Sequence, residues 1–381
     1  MNRRTLVLWL TVVLATSGCR ALAADARAAP SPAAPASPSP ETAAAPPSPA
    51  APAEAKPYKA EAGPHEVSIH AFDWHDAKRD RDVPVKVYLP RGKGGPWPVI
   101  VFSHGLGGSR DGYEYLGRHW AGHGYVSVHL QHLGSDTAVW KGKADPMGAM
   151  RKAVTNLDAA IQRPADVTFA IDRLTELGAA KDGPLAGRLD LERIGMAGHS
   201  FGAWTTLAVA GQVFVGRSPR FRDGRVKAAI PMSAPPAKPW QRPKAYRAIR
   251  IPLFHMTGTR DTSPITDATA EERRIPFDRI DGAEQYLLTF TGGDHMVFSG
   301  RPRVMGGGEN DQRFQNLILQ ATTAFWDAYL WGDAAAKAWL AGGGFQAVLG
   351  EAGTFEMKHP KTPPTPTPAG RVQPEGTPAS P

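Results

Sequence analysis

The sequence holds one cysteine, Cys19, in 381 residues, so no disulfide can close within the chain and no cysteine-based metal site is available. Its stability must therefore come from packing. Long apolar runs are also scarce, and the stretch Leu6 to Ala15 is too short to span a membrane. Stretches of basic residues interleaved with aromatics are missing, as is any nucleic-acid motif. The formal charge is +8, and +5 once Arg3, Arg4 and Arg20 near the start are set aside. That mild excess reads as ordinary solvation and excludes nucleic acid as an expected partner.

Proline is plentiful but uneven: of 36, 10 fall within residues 24–57 and 8 within 360–381. One globular body, residues 58–359, with two proline-rich arms is the organisation expected, and its length suits a single large domain. Residues 24–57 include 14 alanines, a composition that buries no core and favours an extended spacer. The tail 360–381 is read as disordered.

Residues 1–23 have the layout of a secretory signal: a basic start, the apolar stretch, then small residues. Two cleavage readings stay open. Ala21-Leu22-Ala23 is a small-x-small site that releases a soluble protein, whereas Thr16-Ser17-Gly18-Cys19 resembles a lipobox that would lipidate Cys19 and attach the protein to a membrane. The expected location is outside the bacterial cytoplasm: periplasm, outer membrane or medium. Arg3-Arg4 leaves the export route, general or twin-arginine, undecided.

The body reads as strands alternating with helices. Val67 to Phe72 and Val83 to Leu89 resemble an opening hairpin, and apolar runs follow at Val99 to Phe102, Tyr125 to Leu130, Ile194 to Ala197, Ala228 to Met232, Pro252 to Met256 and Tyr286 to Phe290. Unbroken apolar strands are buried on both faces, as in a parallel sheet. Helical patterns lie at Gly112 to Ala121, Pro164 to Leu177, Phe201 to Gly211 and Asp311 to Trp331. The expected fold is α/β: a mostly parallel, eight-stranded, doubly wound sheet with flanking helices and a small cap segment.

Gly198-His199-Ser200-Phe201-Gly202 lies between one of those strands and a helix, which is where a G-x-S-x-G turn exposes its serine at the carboxyl edge of the sheet. A serine hydroxyl needs a base, and the base an orienting carboxylate, following the serine in the order acid then histidine on such a sheet. Asp261 follows the seventh predicted strand and His295 the eighth. The roles expected are Ser200 as nucleophile, His295 as general base and then acid, and Asp261 as orienter. Asp294, Asp267 and Asp278 are less suitably placed. Two N–H donors should receive the oxyanion: that of Phe201, and that of Leu106 in Ser103-His104-Gly105-Leu106-Gly107-Gly108, with Gly107 its neighbour.

These pieces resemble the α/β-hydrolase superfamily, and Phe102 to Gly107, Gly124-Tyr125 and Gly198 to Gly202 resemble its platelet-activating-factor acetylhydrolase, dienelactone-hydrolase and bacterial polyester-hydrolase branch. The likeness covers most of residues 66–331. In the acetylhydrolase the acid follows the sixth strand, but here that strand ends Ile230-Pro231-Met232-Ser233 without a carboxylate. The resemblance therefore implies Asp261 as the acid, as in the dienelactone and polyester hydrolases, and implies ester hydrolysis by Ser200 where dienelactone hydrolases use cysteine.

The segment Gly134 to Arg163, with Trp140, Met147 and Met150, stands where this fold often builds a cap. Trp140, Trp204, Met296 and Phe298 are the candidate pocket residues, with Trp240 a further one; aromatic and sulfur side chains fill cores by default, so about half are expected to line it. His129 and His132, with Asp136 nearby, form a metal-like cluster. Residues three apart on a strand face opposite sides, so polar residues at a strand end are the favoured reading, and neither metal nor cofactor is expected. The function expected is an exported serine hydrolase of carboxylic esters; a depolymerase or lipase on insoluble substrate, and a noncatalytic binding protein on a hydrolase scaffold, are the alternatives.

Overall fold

The computed structural model describes residues 56–361 except 215, 217, 264 and 302–307. The signal segment, nearly all of the spacer and the tail beyond Lys361 lie outside the described residues.

The chain opens with a hairpin, β1 (Val67–Asp76) and β2 (Arg81–Pro90), paired residue for residue from Val67↔Pro90 to Asp76↔Arg81. Then follow β3 (Trp97–Ser103), α1 (Glu114–Gly122) and β4 (Val126–Leu130). The segment after β4 holds a 3-10 turn, Thr137–Val139, and α2 (Pro146–Ala153), so the anticipated cap is a short helical excursion. Next come α3 (Leu157–Gly178), β5 (Leu189–His199), α4 (Phe201–Ala210) and β6 (Val226–Met232). The third quarter is α5 (Arg242–Ala245), β7 (Leu253–Arg260), α6 (Ile275–Arg279) and β8 (Gln285–Asp294). The chain closes with α7 (Asp311–Trp326), running into a π turn at Asp327–Trp331, then α8 (Ala334–Ala341), α9 (Gly344–Leu349) and β9 (Gly353–Lys358).

Among the described residues the sheet has nine strands, in the order β1-β2-β4-β3-β5-β6-β7-β8-β9. The six from β3 to β8 are mutually parallel, with antiparallel strands at both ends. The expected count of eight is thus corrected by one: β9 is a six-residue edge strand on β8, and its partly exposed Thr354 to Lys358 lack the unbroken apolar run that marks a central strand. A second correction concerns α3, which starts at Leu157 rather than Pro164. Asn156 caps it through Oδ1 to the Ala159 N–H at 3.2 Å, and the helix continues through Pro164 at the cost of the hydrogen bond to the Ala160 carbonyl.

Alternation along the central strands splits the core in two. On one face Ile100, Phe102, Ala197, Ile230 and Phe254 pack with Trp120 of α1 and Phe325 and Trp326 of α7; on the other Val99, Val101, Ile194 and Met196 pack with Val167, Ile171 and Leu174 of α3. Helices cover both faces, so the carboxyl edge of the parallel strands, where the connecting loops gather, is the place to look for a site.

Candidate active site

Ser200 stands between β5 and α4 with φ 57° and ψ −115°, a region few non-glycine residues occupy and which costs on the order of 1–3 kcal/mol. The flanking glycines are required by contact: a Cβ on Gly202 would stand 1.8 Å from the Ser103 carbonyl oxygen, and one on Gly198 2.4 Å from that of Gly202. The turn is thereby pressed against the end of β3. Gly258 does the same for β7 and β8, since its Cβ would meet the Gly293 oxygen at 2.2 Å, and this close approach brings Asp261 and His295 together.

His295 Nε2 lies 3.0 Å from Ser200 Oγ, and its Nδ1 lies 2.8 Å from Asp261 Oδ1. The Asp261 carboxylate is fully buried and held on both oxygens: Ser233 Oγ donates to Oδ1 at 2.8 Å and Thr257 Oγ1 to Oδ2 at 2.9 Å. Buried Arg273 adds charge, its Nε 3.5 Å from Oδ1 and its Nη1 donating to the Ser233 carbonyl at 3.2 Å. Of the other carboxylates considered, Asp294 accepts from the Met296 N–H at 2.9 Å, Asp278 pairs with Arg274, and Asp267 is exposed. His199 lies beneath, its ring 4.7 Å from that of His295 and its Nδ1 2.8 Å from the Tyr113 hydroxyl. Burial pushes the His199 imidazole well below its ordinary pKa, and His295 adds to the push, so it stays neutral and does not compete for the proton.

In the loop after β3 the N–H of Gly107 donates to Ser135 O at 2.8 Å, that of Gly108 to Gly105 O at 3.1 Å and that of Gly105 to the Tyr113 hydroxyl at 3.4 Å. These bonds engage the N–H groups of Gly105, Gly107 and Gly108, so Gly107, the expected neighbour of Leu106 as a donor, already has a partner. Phe201 opens α4, where first-turn N–H groups have no partner within the helix.

The pocket candidates divide. Trp140 is half-buried, its Nε1 donates to Gly107 O at 2.8 Å, and it packs with Met150 on that glycine. Met296, beside His295, is exposed. Trp204 is buried between Phe201 and Phe214, with centroids 5.6 and 4.2 Å away, so it supports the turn from within the core. Phe298 is corrected: it is 0% exposed, packed on His199 and Phe290, because the turn after His295 points it inward. Trp240 is 76% exposed. A cavity of about 740 Å³ between the β1–β2 turn and α3 is lined by none of Ser200, Asp261 and His295, so it is not part of this site. His129 and His132 have separate partners, Ser127 Oγ at 3.1 Å and Asp166 Oδ2 at 2.9 Å. Among the described residues no group of three or more His, Cys, Asp or Glu is placed to hold a metal.

In the comparison with known families, the PET hydrolase-like profile covers residues 44–307. The chain belongs to the PET hydrolase-like family. It shares the α/β-hydrolase fold of that family. A cutinase from Thermobifida alba is 27% identical over 214 residues, 54% of this chain and 58% of that one. The platelet-activating factor acetylhydrolase of Cavia porcellus is 23% identical over 281 residues, 65% and 61% respectively. The matched region spans less than two thirds of either curated relative.

In this PET hydrolase-like chain the residues that sequence reasoning missed are Ser233, Thr257, Arg273, Tyr113 and Arg163. Ser233 and Thr257 carried a signal, each directly following a predicted strand. Arg273, Tyr113 and Arg163 come from segments whose sequence pattern gave none.

Proposed function

We propose that the protein is an exported serine hydrolase of carboxylic esters. His295 Nε2 takes the Ser200 proton as Oγ attacks the ester carbonyl, then returns it to the leaving alcohol oxygen; Asp261 holds the imidazole at Nδ1 and stabilises its cationic form. The N–H groups of Leu106 and Phe201 receive the oxyanion. Water, activated by the same imidazole, then resolves the acyl-enzyme. One observation carries the reading: Ser200 Oγ, His295 and Asp261 stand in line at 3.0 and 2.8 Å, at the sheet edge.

The substrate reading that goes with it is a polymeric or lipid ester. Exposed Met296 beside His295 and half-buried Trp140 on the Gly107 loop give the mouth apolar surface, and the family and the cutinase point the same way. Export rests on residues 1–23, with Cys19 lipidated or cleavage after Ala23.

The test is labelling with a fluorophosphonate, with turnover of chromogenic esters of graded acyl length beside a polyester film. A Ser200 adduct and ester turnover are expected. No adduct and no turnover in folded protein would return the chain to the noncatalytic scaffold reading. Film left intact beside rapid turnover of soluble esters would remove the polymer.

A further inference from the structure

Arg163 of α3 is fully buried, yet its hydrogen-bond acceptors are hydroxyls and a carbonyl rather than a carboxylate. Nε donates to Thr205 Oγ1 at 2.9 Å, Nη1 to Ser135 Oγ at 2.8 Å, and Nη2 to Ser103 Oγ at 2.9 Å and to the His104 carbonyl oxygen. Its guanidinium carbon lies 4.5 Å from the centre of the Phe201 ring.

Each of these partners belongs to a segment that bears or fixes an oxyanion donor. Ser103 and His104 lead into Leu106. Ser135 offers its carbonyl to the Gly107 N–H, and Thr205 Oγ1 donates to the Phe201 carbonyl at 3.0 Å. One side chain thus ties together the two strand-end turns whose N–H groups must converge on a single oxygen.

No carboxylate is among the acceptors of its hydrogen bonds. Ser103 Oγ lies 2.9 Å from His132 Nε2, and His132 Nδ1 lies 2.9 Å from Asp166 Oδ2. The distances are those of a serine triad, but all three residues are 0% exposed and Arg163 occupies the hydroxyl, so no substrate can reach it. Asp166 is already paired with Arg79 and Arg81, and Arg79 also with Asp76. Asp166 thus acts on Arg163 only through space, with its carboxylate already bonded to two other guanidiniums. Burial pushes the Arg163 guanidinium downward in pKa, as expected of a desolvated cation without a contacting carboxylate. A buried cation without a contacting carboxylate is costly unless hydrogen-bonded, and here every bond it makes faces the oxyanion turns.

We propose that Arg163 is the positioning residue of the oxyanion hole, setting the Leu106 and Phe201 N–H groups on one point and supplying fixed positive charge there. The inference rests on the serine-hydrolase reading and adds the group that pre-orders its electrostatics.

The experiment compares wild type, Arg163→Gln and Arg163→Lys on a soluble chromogenic ester, with active sites counted by fluorophosphonate endpoint and folding followed by circular dichroism. Arg163→Gln should lose about 10²-fold in kcat per active site, with KM within about twofold, because the oxyanion exists only in the transition state. Arg163→Lys, which keeps the charge, should recover about a tenth to a half of the wild-type rate. If the glutamine variant does not fold, the lysine variant decides: a lower kcat at unchanged KM supports the proposal, and wild-type kcat overturns it. Folded Arg163→Gln within threefold of wild-type kcat, or a Lys variant no faster than Gln, also overturns it. A wild type with neither labelling nor turnover instead overturns the serine-hydrolase reading, and this inference with it.

Discussion

The Ser233 hydroxyl stands 2.7 Å from His295 Nδ1, as close as the Asp261 carboxylate at 2.8 Å. β6 and β7 thus both deliver an oxygen to the same imidazole nitrogen. Ser233 is 0% exposed and holds φ 54°, so its backbone accepts a left-handed conformation to place the hydroxyl there. Because Ser233 Oγ also donates to Asp261 Oδ1, it braces the carboxylate instead of replacing it.

Ser233→Ala should therefore weaken the reaction moderately. Losing one hydrogen bond to a charged group is worth about 1.5–3 kcal/mol, which sets a fall in kcat of about tenfold to 10²-fold on a soluble ester. Asp261→Asn should cost far more, on the order of 10⁴ in kcat, by removing the charge and favouring the wrong tautomer. Equal losses in the two variants would mean that the hydroxyl, and not the carboxylate, orients His295.

Ser200→Ala should abolish turnover while leaving the melting temperature within about 2 °C. The alanine inherits the strained turn, and the hydroxyl's partner in the triad is partly solvated His295. A large fall in melting temperature would make the serine structural.

Trp140 joins the segment after β4 to the loop after β3 through Gly107 O. Trp140→Phe keeps most of the ring and removes that bond, so kcat should drop about fivefold for one neutral bond of about 1 kcal/mol. Trp140→Ala should in addition raise KM for long acyl chains more than for acetate. A KM change independent of chain length would take Trp140 out of the pocket.

Acid should destabilise the fold before it exhausts the carboxylates. Burial pushes His129 down to about 3 and His132 and His255 down to about 4, whereas the unfolded imidazoles protonate near pH 6.5. Below that value the unfolded chain binds more protons, so stability falls as pH drops toward 4 and is unaffected by these groups above about 7. Burial alone would raise Asp166, but its bonds to His132 and Arg81 lower it to about 2, which extends the loss from pH 4 toward 2. Calorimetry from pH 8 to 4 should show a plateau and then a steady decline, and His255→Gln should make the decline shallower. A melting temperature unchanged between pH 7 and 4.5 would contradict the neutral buried state.

The sequence by itself determined the parallel sheet, because its central strands are unbroken apolar runs, and the order Ser200, Asp261, His295 at three strand ends, because strand-to-turn transitions are marked locally by glycine. It did not reveal β9, whose half-exposed edge residues lack a core pattern, or the helical turns before Pro164, where a cap at Asn156 outweighs a proline. Tertiary structure alone decided what surrounds the triad. Ser233 and Arg273 meet Asp261 across intervals of 28 and 12 residues, and Arg163 meets Thr205 and Ser103 across 42 and 60. Hydrogen bonds of that span leave no period in the chain; they exist only once two faces of one sheet have closed around them. The lone Cys19 excluded covalent staples from the start, and the fold shows what stands in for them: an apolar core on each side of the sheet, and buried guanidiniums holding the strand ends in register.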